Sequence, residues 1–168
     1  MVGIGVTPRT EWLESSGLAL DDGVVCDATC ATGAPGVVAA GDVARWHNSL
    51  FDEVLRVEHW TNAVEQANHA ARRMLEGEGA DEPFAPVPFV WSAQYDCKIQ
   101  SAGCFHADDE VRIVHGTTQE RRFVALHGRK GKLVGAIALN RVRQLMGYRR
   151  SIREGIGFEE AVAAAETS

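Results

Sequence analysis

The 168-residue chain has no G-x-G-x-x-G segment between a strand and a helix, so it carries no complete dinucleotide phosphate cradle of its own. GIGVTPRT near the start shares the first letters of such a motif and lacks its last glycine. It also has no C-x-x-C pair and no His pair at metal-ligand spacing, which argues against a zinc site. Its four cysteines, Cys26, Cys30, Cys97 and Cys104, are scattered and read as reduced core residues. A redox-active Cys26–Cys30 disulfide is the alternative, though the spacing announces no tuned thiol. No apolar run approaches the roughly 20 residues that cross a bilayer, and no basic-then-apolar leader is visible. A cytoplasmic location is expected.

Charge is unevenly spread. Residues 1–88 hold 5 basic and 14 acidic side chains, net −9, and residues 89–168 hold 12 and 9, net +3, together the −6 of the whole chain. Such a split suggests two units with different surfaces. The second half is too weakly basic, and too bare of recognisable motifs, to read as a nucleic-acid binder.

VGIGV (residues 2–6) reads as a buried strand, and TEWLESSG as a short helix capped by Thr10 and stopped at Gly17. The DDG turn precedes a strand in VVCDAT, and GAPG opens a further strand, VVAA. These pieces make a poor core by themselves, so absent partners are expected. A helix starts after VEHW, with Thr61 or Asn62 as its cap; Ala63, Val64, Ala67, Ala70, Ala71, Met74 and Leu75 recur at helical spacing. EGEGADEP reads as a linker and PFAPVPF as extended chain, since each proline disfavours helix around it. A boundary near residues 81–88 follows.

Beyond it FVWSAQYD, KIQSAG, EVRIVHG, RRFVALHG and KLVGAIALN read as five strands, the last two joined by a tight RKG turn. Asn140 is expected to cap RVRQLMGYRRSIREG, with Val142, Leu145, Met146 and Ile152 on one side, and FEEAVAAAE forms a terminal helix. The fold class expected is α+β: an incomplete α/β piece over residues 1–82, then a small domain over 83–168 with a five-stranded, mostly antiparallel sheet.

Two places could hold a ligand. In GVVAAGDVARW (residues 36–46) an apolar run ends in Gly41-Asp42, where a carboxylate can accept hydrogen bonds from a polyol, or simply close a turn. Eighteen residues on, Trp60 offers a planar surface beside an open helix N-terminus that suits an anion, or it is a packing residue. Arg141, Arg143, Arg149, Arg150 and Arg153 cluster near one helix, as a solvated face or as a dock for an acidic partner.

GVVAAGDVARW, VEHWTNAVEQANHAARRML and FVWSAQYDCKIQSAG, in that order, resemble the FAD-dependent ferredoxin reductases that serve oxygenases, the putidaredoxin and rubredoxin reductase group of pyridine-nucleotide flavoprotein reductases. GIGVTPRTEWLESSGLALDDGVVCDA looks like the segment where that family's NAD domain returns to its FAD domain. The resemblance runs from Val2 to about Glu154 and implies electron transfer from NADH or NADPH through FAD to a ferredoxin or rubredoxin. It implies that Asp42 bonds the ribityl chain, with Gly41 allowing close approach and Val43 offering its N–H. Trp60 and Thr61 would meet the pyrimidine edge of the flavin. Glu58 would face the nicotinamide, His59 belongs to the same cofactor-binding stretch, and Trp91 would lie near the flavin on the path to the iron–sulfur partner, unless it only packs in its sheet. The family's two glycine fingerprints are absent, so the chain resembles the C-terminal part of such a reductase. Alone it is expected to bind FAD poorly and to show no turnover. A non-catalytic module for dimerisation or partner docking is the rival reading.

Overall fold

The computed structural model describes residues 5–77 and 82–166, and the chain divides into two compact units, Met1–Pro86 and Val87–Ser168. The first holds a three-stranded sheet: β1 (Val24–Cys26) runs parallel to β2 (Ala44–Asn48), and β3 (Glu53–Leu55) antiparallel to β2. Its helix α1 spans Trp60–Glu76. The core gathers Val24, Cys26, Cys30, Ala44, Trp46, Ala70 and Phe84.

Trp46 is wholly buried and its indole N–H donates to the Phe84 carbonyl at 2.9 Å, with the two rings 5.5 Å apart. Phe84 N–H in turn donates to the Ala28 carbonyl, and the buried Asn48 amide donates to the Pro86 carbonyl. The proline-rich stretch, residues 83–88, forms neither helix nor strand. Prolines leave it poor in donors, so its carbonyls do the anchoring.

Several sequence expectations need correction here. The supposed VVAA strand is extended chain held by a single bridge, Ala31 to Val38, so Asp42 lies in a turn that enters β2 and not at the tip of a strand. Strands β2 and β3 went unread because ARWHN and EVL are short and carry charge. Residues 2–4 of the VGIGV strand, like 78–81 of the linker, lie outside the described residues; Gly5 and Val6 are exposed and outside any strand. TEWLESSG gives only a three-residue 3₁₀ turn, Glu11–Leu13. The N-cap of α1 is His59, without a side-chain cap bond, so neither Thr61 nor Asn62 caps it.

The phase of α1 also differs. Asn62, Gln66 and Ala70 are its buried residues, whereas Val64, Ala67, Ala71, Met74 and Leu75 form an exposed apolar stripe, Leu75 at 89%.

The second unit carries the five expected strands: β4 (Phe89–Gln94), β5 (Cys97–Gly103), β6 (Glu110–Thr117), β7 (Arg122–Arg129) and β8 (Lys132–Leu139). All pair antiparallel in the order β4-β5-β8-β7-β6. Lys130 and Gly131, both at positive φ, close the β7–β8 hairpin in the form that matches strand twist. Helices α2 (Val142–Glu154) and α3 (Phe158–Glu166) pack on the sheet through Leu145, Ile152, Phe158, Ala161, Val162 and Ala165. Val142 and Met146, expected on that inner side, are 40% and 44% exposed.

Asn140 does not cap α2; Arg141 holds that position. Asn140 instead accepts from Lys98 N–H at 2.9 Å and donates to the Arg121 carbonyl at 3.1 Å, tying β8 to the starts of β5 and β7.

A buried ionic knot closes the other end of this sheet. Asp109 accepts from Arg129 Nε at 2.6 Å and from His106 N–H at 2.9 Å. Burial works to raise its pKa, yet the Arg129 and His106 hydrogen bonds outweigh it and hold the carboxyl below its ordinary value. His127 lies 3.7 Å from Asp109 and edge-on to Phe105, and burial keeps its pKa below the ordinary 6.5 despite that carboxylate.

Between its folded and unfolded pKa values His127 takes up more protons when unfolded, so the stability it contributes is present above about pH 6.5 and lost as pH falls. Asp109 acts in a lower window, with stability present above its unfolded value and lost as pH falls through the folded one. Urea unfolding followed by circular dichroism is expected to show a midpoint that drops from pH 7.5 to 5.5, and His127→Gln should flatten that slope. Separately, a Cβ on Gly128 would stand 2.5 Å from Phe158 Cγ in the core. Gly128→Ala is therefore expected to cost about 1–3 kcal/mol in the same assay, the usual range for overpacking.

Candidate functional site

Gly41 starts the turn into β2 at φ +80°, a conformation that favours glycine, and its carbonyl accepts from Ala44 N–H at 2.9 Å. Its own N–H is buried and donates 2.9 Å to Gln66 Oε1, inside α1. A Cβ on Gly41 would rest 3.4 Å from Ala63 Cβ, so the turn lies directly against the first turns of the helix. Val43 is fixed through its carbonyl, which accepts from Val24 N–H at 2.7 Å. Gly23 permits that approach, because a Cβ there would stand 2.5 Å from the same oxygen.

Asp42 is exposed and its backbone carbonyl accepts from Arg56 Nη1 at 3.1 Å. Arg56 also meets Asp22 at 3.1 Å and Glu58 at 2.7 Å, and its side chain is only 11% exposed. Burial acts to lower its pKa, but the two carboxylates outweigh it and hold the guanidinium charged. Arg56 therefore joins the Asp42 turn to the strand–helix connection that carries Glu58 and His59. At the start of α1 Trp60 is 69% exposed, and the His59 side chain makes no cap hydrogen bond to the helix.

The structure thus brings Gly41, Asp42 and Val43 against the first turns of the helix that Trp60 and Thr61 open, with Glu58 linked through Arg56. Trp91 belongs to the other unit, on edge strand β4, 41% exposed and 6.0 Å from the Phe89 ring. Two positioning residues, Gln66 and Arg56, were missed in the sequence. A polar Gln four residues after Asn62 and four before Ala70 marks the buried face, but it loses attention beside the longer apolar stripe.

An exposed carboxylate, a solvent-facing indole and the N-terminal end of a helix thus lie on one side of this unit, and that chemistry suits a flat, polyol-bearing anion. A cavity of about 400 Å³ in the same unit lies away from them, against Asp27, residues 31–38 and Arg73.

The cysteine alternative fails. Cys26 and Cys30 are free and buried, and burial pushes their thiols up to about 11 and about 12. A redox-active thiol needs the opposite shift. Of the five clustered arginines, Arg149 donates to the Val87 carbonyl and stacks over Phe89, and Arg150 pairs with Glu154. Arg143 and Arg153 are exposed, as a solvated face would have them.

Residues 1–67 match the pyridine nucleotide-disulphide oxidoreductase family and residues 89–168 the reductase C-terminal family. The ferredoxin–NAD(+) reductase component of an anthranilate 1,2-dioxygenase system from Burkholderia cepacia is 37% identical over 156 residues, covering 92% of this chain and 37% of that protein. The ferredoxin reductase subunit of a 5,5'-dehydrodivanillate O-demethylase from Sphingobium is 35% identical over 99% of this chain and 40% of its own length. The covalent putidaredoxin reductase–putidaredoxin complex superposes with a TM-score of 0.82 at 26% identity, over 99% of this chain and 42% of that one. The chain thus spans about two fifths of the length of the relatives it matches.

Removing the Gln66 acceptor strands the buried Gly41 N–H. Gln66→Leu is expected to lower stability by about 1–3 kcal/mol in urea unfolding, the cost of an unsatisfied buried donor; an unchanged midpoint would show that the Gly41 turn is held some other way.

Proposed function

We propose that this chain belongs to the FAD-dependent ferredoxin reductases of the pyridine nucleotide-disulphide oxidoreductase family and supplies one wall of a flavin site. Residues 1–82 form the C-terminal portion of an FAD-binding domain and 83–168 the reductase's C-terminal interface domain. When bound, FAD supplies the redox chemistry, accepting hydride from NADH or NADPH and releasing electrons singly to a ferredoxin or rubredoxin that serves an oxygenase.

This chain's residues hold and orient. The Asp42 carboxylate accepts hydrogen bonds from the ribityl hydroxyls, Gly41 admits the ligand closely and Val43 offers its N–H. Trp60 and Thr61 set the N-terminus of α1 toward the pyrimidine edge, where the helix dipole favours negative charge. Glu58 and His59 flank the nicotinamide side, with Glu58 steered by Arg56. Trp91 lies on the route by which electrons leave. The observation that carries this reading is the Gly41–Gln66 bond, which locks the Asp42 turn to the helix whose first residue is an exposed tryptophan. Cysteines buried as thiols rather than joined in disulfides fit a reducing cytoplasm. A homodimer is compatible with the reading.

With no glycine-rich pyrophosphate cradle, the isolated chain is expected to bind FAD weakly and to reduce no ferricyanide with NADH. Flavin titration monitored by absorbance should show Asp42→Ala weakening binding about tenfold, the equivalent of roughly 1.4 kcal/mol. Equal affinity in Asp42→Ala and Trp60→Leu would sink the placement, and robust turnover by the chain alone would overturn its inactivity.

A further inference from the structure

A cavity of about 400 Å³ opens in the second unit between β6 and helices α2 and α3, lined by His115, Arg141, Gln144, Gly147, Tyr148, Ser151, Ala164 and Ala165. Its lining includes one permanent cation and no carboxylate. The other arginines of this unit are either paired or in water. Arg112, Arg121, Arg129 and Arg150 each meet a carboxylate, Arg149 a carbonyl, and Arg122, Arg143 and Arg153 are exposed.

Arg141 is half-buried, and among the described residues its buried Nε has no hydrogen-bond partner. That Nε lies against Gly116, where a Cβ would come within 3.3 Å of it, so the glycine makes room for the guanidinium. A partly desolvated guanidinium calls for an anion, and its planar fork matches a carboxylate.

Beside it stands a second donor. Tyr148 OH lies 2.8 Å from His115 Nε2, and burial raises the Tyr148 pKa, so the phenol stays protonated. When the imidazole donates from Nε2, the phenol proton is free to point into the cavity. Ala164, Ala165, Gly147 and the Tyr148 ring give the cavity an apolar side, next to the neutral Gln144 and Ser151. The space far exceeds that of a bare phosphate and falls in the range of small-molecule sites.

We propose that this cavity binds a small organic carboxylate with an apolar body, its carboxylate on Arg141 and Tyr148 and its body against the α2–α3 wall. The site is independent of the flavin reading.

Burial first, and then the Arg141 charge, lower the pKa of His115. An anion on Arg141 removes the second of these, so His115 reports occupancy. The test uses the whole 168-residue chain and benzoate as probe, with benzamide and inorganic phosphate as comparators, following the His115 imidazole by NMR. Saturable benzoate binding that moves the His115 titration to higher pH is expected, with affinity reduced at least about tenfold in Arg141→Gln and unchanged in Arg143→Gln, which removes the same charge from the exposed side of α2.

Gly147→Leu provides a second arm should Arg141→Gln not fold. A Cβ there meets nothing within 4 Å, and a helix tolerates leucine better than glycine, so this variant should fold and block the cavity. Absence of saturable benzoate binding, equal binding of benzamide, equal loss in Arg143→Gln, or binding of phosphate in benzoate's place would each overturn the proposal.

Discussion

The carboxamide of Gln66 sets the geometry of the first unit. Its oxygen accepts from Gly41 N–H at 2.9 Å and lies 3.4 Å from the Asn62 amide, so one buried polar group ties an irregular turn to a helix in a region with little apolar surface. Only Ala70 among the apolar residues of α1 is buried, so the usual hydrophobic seam is missing from this helix. The turn that carries Asp42 is held by directional bonds from Gln66, Arg56 and the backbone of β1. Such bonds fix orientation well, and they are costly to leave half-made.

The second unit was more legible in the sequence than the first, for a physical reason. Its strands are six to eight residues long, end at turn residues such as Lys130-Gly131, and pair mostly with sequence neighbours, so local pattern and tertiary structure agree. In the first unit the strands are three to five residues long and the β1–β2 pairing is parallel across an irregular excursion. Local pattern carries little information there.

The helical phase of α1 misled because its apolar residues outnumber its buried ones. Periodicity counts methyl groups and cannot tell which stripe this chain covers. The turn glycine and the Asp were readable as residues, and the family resemblance gave them roles. Gln66 and Arg56, which position them, carry no motif and became visible only in space. Asn140 is a related case: a residue type suited to capping a helix instead spends both its amide groups on joining three strands.

The strand order β4-β5-β8-β7-β6 places the last strand in the centre of the sheet. The β6–β7–β8 meander closes through short turns, whereas β5 must await β8, its only partner besides β4. Closing that longer loop costs more chain entropy, so assembly is expected to run from the meander inward, with the β4–β5 hairpin docking last. The reverse order governs opening. The outermost strand of that hairpin, the one that carries Trp91, is therefore expected to be the part of the sheet whose amides exchange with solvent while the meander stays closed.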